Sequence, residues 1–282
     1  MDIFSEFRKD SGIIYPPFSE MYFEKYFYNY MLAHPDNTDI YIPIFWTENQ
    51  ISNWNKTRRQ NAVNTLDKTK TYFTVVQHDD GITGTKLPKT IVFGMGGVGS
   101  VPLPLTYTNP SLFQKVRDTP KTIFCSFTGS ITHPCRAAVC EQLRNRPNVV
   151  INTHIWSNHI SDDKQKSFID IMSRSRFSLA PRGYGKTSFR MYEALELKSV
   201  PVYVYDDPWL PYTELIDWNK MAVLVHVNDI HTLYERLLRI TDDEVASMLD
   251  YYEQHRHLFS YDGMCEYILN KVKTVDETQI TS

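Results

Sequence analysis

The segment from Arg176 to Asp207 places the strongest constraint on how this chain folds. A short apolar stretch is followed by a glycine-containing loop, apolar residues at helical spacing, and a β-branched and aromatic run. This order predicts a strand over 176–180, a helix beginning near Ser188 and a second strand over 200–205. Gly183 and Gly185 allow the intervening loop to turn sharply. The segment therefore predicts a strand–loop–helix–strand unit of an α/β protein.

The loop before the predicted helix is a candidate anion site. A helix N-terminus carries unpaired backbone N–H groups and the positive end of the helix dipole, and phosphate commonly binds there. Arg182, Lys186 and Arg190 add positive charge to this place. Ser188 is predicted to cap the helix, because its hydroxyl can accept from a backbone N–H of the first turn. The sequence thus predicts a phosphate-binding loop.

Strands and helices alternate along the rest of the chain. A turn followed by a strand is predicted within 35–46, and further strands are predicted at 71–77, 90–93, 121–127, 148–154 and 222–227. Helices are predicted at 19–32, 134–143, 162–174, 229–239, 242–256 and 262–272. This alternation predicts an α/β fold with mostly parallel sheets. The 282 residues suffice for two domains. We expect them at 1–148 and 149–282, with the last helix packing back onto the first.

Composition and charge exclude several classes of protein. The net charge is −3 and no long basic run occurs, so nucleic acid is not the expected partner. No apolar run is long enough to span a membrane, and the N-terminus lacks a signal-peptide pattern, which predicts a soluble, cytoplasmic protein. The four cysteines show no zinc-type spacing, so we expect reduced, buried thiols and no metal site.

Gly94 to Gly99 form a literal G-x-G-x-x-G motif after a predicted strand. Dinucleotide binding by this motif requires a helix directly after it. Pro102 and Pro104 break any helix there. We therefore interpret the motif as a flexible or ligand-lining loop.

Ala180 to Thr187, APRGYGKT, fits a relaxed P-loop in which alanine replaces the first glycine. The run from Val200 to Asp206 resembles the apolar strand whose terminal aspartate holds magnesium in such proteins. Against this interpretation, the motif lies late in the chain and leaves few residues for an NTPase domain. A P-loop NTPase or kinase remains an alternative.

Two further patterns suggest a catalytic site. In Ser188-x-Arg190-x-x-Glu193, an arginine beside a diphosphate and a carboxylate for ribose hydroxyls would grip a nucleoside diphosphate; the alternative is a surface pair of Arg190 with Glu193. Asp79 in the sequence His-Asp-Asp-Gly follows a predicted strand, where a carboxylate could act as a general base. The alternative there is a simple turn, since Asp-Gly is a strong turn signal.

Taken together, these residues resemble the exostosin family, the inverting glycosyltransferases of family 47. The resemblance rests on Ser175–Gly183, Ser188-x-Arg190-x-x-Glu193-Ala194, Val200-Pro201-Val202 and Ile216-Asp217-Trp218. The N-terminal half is similar at Thr38–Pro43, at His78-Asp79-x-Gly81 and at Phe127-x-Gly129 with Arg136.

The resemblance implies a GT-B type α/β fold, with two doubly wound Rossmann-like domains facing a central cleft. It implies that the C-terminal domain binds a nucleotide sugar and the N-terminal domain binds the acceptor. Asp79 would be the general base. The residues expected to bind the UDP-sugar are Gly129, Arg136, Arg182, Gly183, Ser188, Arg190 and Glu193. No cofactor is obligatory; a divalent metal is compatible with the chemistry but not expected, and the chain has no Asp-x-Asp motif.

The expected function is inverting transfer of a sugar from a UDP-sugar to a hydroxyl of a glycan acceptor. Aromatic crowding and small size favour UDP-xylose as donor. The alternatives are the P-loop NTPase and a carbohydrate-binding protein without catalytic activity. Anchor-free members of the family occur in large viruses, and such an origin implies the host cytoplasm. The Golgi lumen is expected if a membrane anchor belongs to the native protein.

Overall fold

The structure is a computed structural model that describes residues 2–10, 12, 19–35, 40–52, 54–107, 111–157 and 159–280, without the side chains of 111–112 and 275–280. The chain divides into two compact units. The first comprises Met1–Thr108 and His257–Ser282, and the second Asn109–Arg256.

The first unit is built on a three-stranded parallel sheet. Its helices are α1 (Phe23–Ala33), α2 (Trp46–Ile51) and α3 (Lys56–Asn64), and its strands are β1 (Tyr72–Val76), β2 (Thr90–Gly94) and β3 (Val101–Pro102), in the order β1-β2-β3. The strand predicted within 35–46 is reduced to one bridge between Tyr41 and Phe73. Pro43, which has no N–H to donate, follows it closely. Thr38 and Asp39 lie outside the described residues.

The second unit alternates strands and helices over most of its length. Its elements are α4 (Ser111–Gln114), β4 (Ile123–Ser130), α5 (Pro134–Leu143), β5 (Val149–His154), α6 (Asp162–Ser173), β6 (Ser175–Leu179), α7 (Phe189–Glu196), β7 (Val200–Tyr205), β8 (Val223–His226), α8 (Leu233–Arg239) and α9 (Asp242–His255). A last helix, α10 (Tyr261–Ile280), belongs to the first unit. Among the described residues, no helix combines the length and the apolar character needed to cross a membrane.

The five strands of the second unit form a parallel sheet in the order β5-β4-β6-β7-β8. Apolar side chains of four of these strands pack with α5 and α8 in one core that includes Phe127, Val139, Val202 and Leu237. Parallel sheets with helices between the strands confirm the predicted α/β class. Such a sheet is buried on both faces, which explains the continuous apolar and aromatic run in β7.

Pairing of β4 determines where the second unit begins. We expected the division after residue 148, but β4 lies between β5 and β6 in the sheet of the second unit. Nothing in the sequence of a single strand specifies its partner strands, because side-chain periodicity reports burial and not pairing. The second unit accordingly starts at Asn109 and ends at Arg256, ahead of α10.

The strand order creates a switch point between β4 and β6. From β4 the chain moves outward to β5, whereas from β6 it moves the other way to β7. Right-handed connections then place α5 and α7 on opposite faces of the sheet. Ligands of doubly wound proteins bind in the crevice that this divergence leaves beyond the carboxyl ends of the strands. We therefore expect a ligand site at the loops that follow β4 and β6.

Candidate functional site

The β6–α7 loop is fixed by backbone hydrogen bonds on both sides. Arg182 donates its N–H to the carbonyl of Val204 at 3.0 Å, which extends the pairing of β6 with β7. Gly183 donates to the carbonyl of Thr187 at 3.1 Å and so closes the loop on itself. The Ser188 hydroxyl accepts from the N–H of Arg190 at 3.4 Å and caps α7. The predicted strand–loop–helix unit and its N-cap are confirmed.

Arg136 joins the end of β4 to the β6–α7 loop. Its Nη1 donates to the carbonyl of Ser130 at 2.9 Å and its Nε to the carbonyl of Arg182 at 3.1 Å. The residue is 6% exposed. A Cβ on Gly183 would stand 2.8 Å from Arg136 Nη2, so the glycine leaves space for this guanidinium. Arg136 thus holds the two loops of the switch point together.

Arg190, in the first turn of α7, reaches back to the same strand end. Its Nε donates to the carbonyl of Thr128 at 2.9 Å, and its guanidinium carbon lies 5.2 Å from the centre of the Phe127 ring. A Cβ on Gly129 would overlap Arg190 Nη2 and lie 2.7 Å from Cζ. Gly129 is therefore the residue that lets the arginine lie across the end of β4.

The third arginine, Arg182, is paired with a carboxylate at the end of β7. Its Nη1 lies 2.7 Å from Asp206 Oδ1. Burial by itself raises the pKa of Asp206, but the hydrogen bond and charge of Arg182 outweigh it and leave that pKa below its usual value. Arg182 Nε is buried and has no hydrogen-bond partner among the described residues. A buried, unpaired donor of this kind is available to a ligand.

Glu193 lies on α7, one turn after Arg190, and is only 5% exposed. Burial raises the pKa of its carboxyl to about 8. The group is therefore predominantly protonated at neutral pH and can both donate to and accept from a hydroxyl group.

The P-loop alternative depends on Lys186 and Thr187. In the structure Lys186 lies beside a carboxylate and an aromatic ring, and the Thr187 hydroxyl is buried. Lys186 Nζ lies 2.6 Å from Asp207 Oδ2 and 5.9 Å from the centre of the Trp209 ring. The Thr187 hydroxyl is buried without a hydrogen-bond partner among the described residues. The lysine therefore neutralises the second carboxylate after β7.

One group of metal-ligand types occurs among the described residues. His133, Cys135 and Asp206 each offer a donor atom, and these atoms lie within 4.8 Å of one another. His133 Nδ1, however, accepts the backbone N–H of Cys135 at 3.3 Å and caps α5. Coordination through Nε2 would require the proton on Nδ1 and so would break this cap. Arg182 and Arg136 also place positive charge beside the group, so the surroundings disfavour a cation.

The structure brings six of the predicted binding residues together at the switch point. They are Gly129, Arg136, Arg182, Gly183, Ser188 and Arg190. Their guanidinium groups and the N-terminus of α7 form a positively charged cradle, with Asp206 as the carboxylate paired to Arg182. Such a cradle is chemically suited to a diphosphate.

Asp79, the predicted general base, lies in the first unit in a turn directly after β1. Gly81 donates its N–H to the carbonyl of His78 at 2.9 Å, so the turn interpretation is also correct. A Cβ on Gly96 would come within 2.5 Å of the Asp79 Cα. The Gly94–Gly99 motif thus lets its own backbone approach this turn closely. The turn holds Asp79 and Asp80 beyond the carboxyl end of a parallel strand, as predicted.

The family of the chain is shown by a family model that matches most of its length. The model of the Exostosin GT47 domain matches residues 9–240. The chain belongs to the exostosin GT47 family.

Curated relatives of this exostosin GT47 chain include two probable glucuronosyltransferases. One from Oryza sativa subsp. japonica is 30% identical over 162 residues, which cover 52% of this chain and 36% of the relative. Probable glucuronosyltransferase 47 A of Physcomitrium patens is 30% identical over 139 residues, covering 45% of this chain and 29% of the relative. The matches thus span about a third of the length of these relatives.

Among solved structures, the chain is similar to the pneumococcal O-GlcNAc transferase GtfA in complex with UDP and GlcNAc. The TM-score is 0.39 at 14% sequence identity, covering 79% of this chain and 48% of GtfA. The glycosyltransferase AviGT4 of avilamycin A biosynthesis gives a TM-score of 0.39 at 13% identity, covering 78% of each chain. Similarity this low supports no conclusion about the chemistry of the site.

Several residues of the candidate site were not predicted from the sequence. The carbonyl groups of Thr128 and Ser130 orient two arginines, and backbone carbonyls carry no sequence signal. Asp206 was noticed as a strand-terminal aspartate but not as the partner of Arg182. His133 was not predicted, although Pro134 at the first helical position marks the residue before it as the N-cap.

Proposed function

We propose that this exostosin GT47 chain is an inverting glycosyltransferase whose second unit binds the diphosphate of a UDP-sugar. Arg182 and Arg190 contact the diphosphate, while Arg136 holds the two loops in place and contributes charge. Their charge offsets the negative charge that builds on the leaving UDP. Ser188 and backbone N–H groups of the loop that follows Gly183 donate hydrogen bonds to phosphate oxygens, and Glu193 binds the ribose. No metal is obligatory, because arginines and a helix N-terminus supply the positive charge.

One observation carries this proposal. In a chain of the exostosin GT47 family, three arginines from two different helices and a loop converge at the switch point of a parallel sheet. Two glycines leave the space that two of these guanidinium groups occupy. A single salt bridge would not require this arrangement, whereas recognition of two linked phosphates does.

Asp79 acts in this proposal as the general base that removes a proton from the attacking hydroxyl of a glycan acceptor. The hydroxyl oxygen forms the bond to the anomeric carbon on the face opposite UDP, and UDP leaves with the bonding electrons. The reserve candidates for the base are Asp80, in the same turn, and Glu48, a buried residue of α2. The acceptor in this proposal is a sugar hydroxyl.

Two donors deserve the first tests. The small size of the chain and its aromatic side chains favour UDP-xylose. The names of the relatives point to UDP-glucuronic acid instead. The two donors differ by one carboxyl group, so a binding comparison isolates the contribution of that group.

Replacement of Arg190 tests the diphosphate site. We expect Arg190→Ala to weaken UDP binding at least tenfold, since a charge-assisted hydrogen bond contributes about 1.5–3 kcal/mol. Transfer should fall further, because charge on the leaving group grows in the transition state. Isothermal titration with UDP and a transfer assay with a panel of UDP-sugars measure the two effects.

Arg174→Ala is the matched control. This exposed arginine pairs with Asp170 on the same helix, and its loss should change neither UDP affinity nor transfer. Near-normal UDP affinity of the Arg190 variant would remove Arg190 from the site.

The same assays separate the two alternative functions. ATP hydrolysis without sugar specificity would favour the P-loop NTPase. Sugar binding without transfer or hydrolysis of any UDP-sugar would favour a carbohydrate-binding protein.

A further inference from the structure

His133 occupies a fixed position beside the arginine cradle. It is the N-cap of α5, where its Nδ1 accepts the N–H of Cys135 at 3.3 Å. Pro134 follows at the first helical position and limits the backbone. Because Nδ1 is an acceptor, the hydrogen of the neutral ring must be on Nε2. The ring therefore directs an N–H away from its own helix.

Nε2 of His133 faces the carboxylate that pairs with Arg182. It lies 3.7 Å from Asp206 Oδ2, while Asp206 Oδ1 accepts from Arg182 Nη1 at 2.7 Å. A separation of 3.7 Å is too long for a hydrogen bond but short enough for strong electrostatic coupling. The His133 side chain is 21% exposed, so a ligand can approach it.

The charged and titratable groups around the ring come from each neighbouring element. Arg136 and Cys135 lie on α5, Arg182 on the β6–α7 loop and Asp206 at the end of β7. Burial lowers the pKa of His133, the charges of Arg182 and Arg136 lower it further, and Asp206 opposes them. The ring is therefore neutral at physiological pH when no ligand is present.

We propose that His133 is a proton-dependent ligand of the donor diphosphate, a binding residue that becomes cationic when the UDP-sugar arrives. This inference rests on the proposed function, because it takes the arginine cradle as the diphosphate site. A bound diphosphate neutralises Arg182 and Arg136 and adds negative charge near Nε2. Both changes favour the imidazolium form, so binding is coupled to uptake of a proton from solvent.

The direction of the pH dependence follows from this coupling. The pKa of His133 is higher in the complex than in the free protein. The affinity for the UDP-sugar that His133 adds is thus fully present below the pKa that His133 has in the free protein. It is lost as pH rises through the pKa that His133 has in the complex. A difference of one pKa unit corresponds to about a tenfold change in affinity.

Calorimetric titration with UDP-xylose and UDP-glucuronic acid between pH 5.5 and 8.5 tests the proposal. Neither diphosphate diester titrates in this range, unlike the terminal phosphate of UDP. For the native chain we expect affinity to fall about tenfold from the acidic to the basic end. Titrations at pH 6.5 in buffers of different ionisation enthalpy should show net proton uptake.

The variant His133→Asn separates this role from helix capping. Asparagine is a good N-cap, so α5 keeps its cap, but the residue no longer titrates. We expect the affinity of this variant to be low and independent of pH, with no proton uptake. His226→Asn is the matched control, because His226 Nδ1 caps the helical turn after β8 by accepting from Asn228 N–H at 3.2 Å. It should retain the native pH profile.

Four results would overturn the assignment. A native pH profile in the His133 variant, or pH-independent affinity in the native chain, would remove His133 from the diphosphate site and leave the proposed function intact. Binding that EDTA abolishes and Zn²⁺ restores would make His133 a metal ligand with Cys135 and Asp206. Failure of both UDP-sugars to bind the native chain at every pH would refute the proposed function, and this inference with it.

Discussion

At the residue scale, the site depends on pairs in which a glycine makes room for an arginine. Gly129 faces Arg190 and Gly183 faces Arg136, and in both pairs a methyl group would meet the guanidinium. Neither of these glycines is among those with a positive φ, so backbone freedom is not what the positions require. Each glycine thus leaves the space in which a positively charged guanidinium group lies.

Gly129→Ala should therefore act through Arg190. We expect the added methyl to displace the guanidinium from the carbonyl of Thr128 and to weaken UDP binding about as much as Arg190→Ala does. In an Arg190→Ala background the same glycine substitution should have little further effect on affinity. A double-mutant cycle on UDP binding measures this coupling. Additive losses in the cycle would show that Gly129 acts independently of Arg190.

At the scale of elements, a buried carboxylate holds three parts of the first unit together. Glu24 of α1 is 1% exposed and accepts from the N–H and hydroxyl of Thr47 at 3.0 and 2.7 Å and from the N–H of Gln77 at 2.8 Å. Thr47 is in the first turn of α2, and Gln77 follows β1. Glu24 thus caps α2 from another helix.

Glu24 should make the stability of the first unit pH-dependent. Burial raises its pKa to about 7, although the hydrogen bonds to the carboxylate oppose this. The pKa of Glu24 is higher in the folded protein than in the unfolded chain. Its contribution to the free energy of unfolding is therefore fully present below about pH 4.5 and is lost as pH rises through 7. The full shift corresponds to roughly 3 kcal/mol.

Urea unfolding at pH 5 and pH 8 measures this contribution. Glu24→Gln should reduce the stability difference between the two pH values, since an amide does not titrate. Glu20→Gln, at an exposed position just before α1, should leave the difference unchanged. An unaltered difference in the Glu24 variant would assign the pH dependence to other groups, with buried Glu193 the first to examine.

At the scale of the whole molecule, the proposed catalytic roles are divided between the two units. The arginine cradle belongs to the second unit, and Asp79 belongs to the first. Each lies beyond the carboxyl ends of a parallel sheet, which is where doubly wound folds bind their ligands. Binding of the donor and activation of the acceptor should therefore be separable by mutation.

Asp79→Asn should lower turnover by two to four orders of magnitude, in the range of a lost general base. UDP affinity should stay at the native value because the substituted residue lies in the other unit. Asp80→Asn, one residue further in the same turn, is the matched control and should retain most of the activity. Steady-state transfer and UDP titration give the two quantities. Native turnover in the Asp79 variant would direct the search to Asp80 and Glu48.

Local chemistry explains why much of the second unit was predictable. Apolar runs, Ser188 before a helix, and closely spaced glycines and arginines act over a few residues, so a sequence reports them directly. The strand within 35–46 was overestimated because an apolar run meets Pro43, and only one bridge to Phe73 forms. The predicted helix at 229–239 begins instead as a 3-10 turn, and α8 starts only at Leu233.

Patterns among neighbouring residues are enough to predict the α/β class, the strand–loop–helix unit and the arginines of the site. Tertiary structure decided that β4 lies in the second sheet, that Arg190 reaches the carbonyl of Thr128, and that Asp206 lies between Arg182 and His133. These relations join residues far apart in the chain. They follow from strand order and side-chain packing, which the spacing of residues along a sequence does not encode.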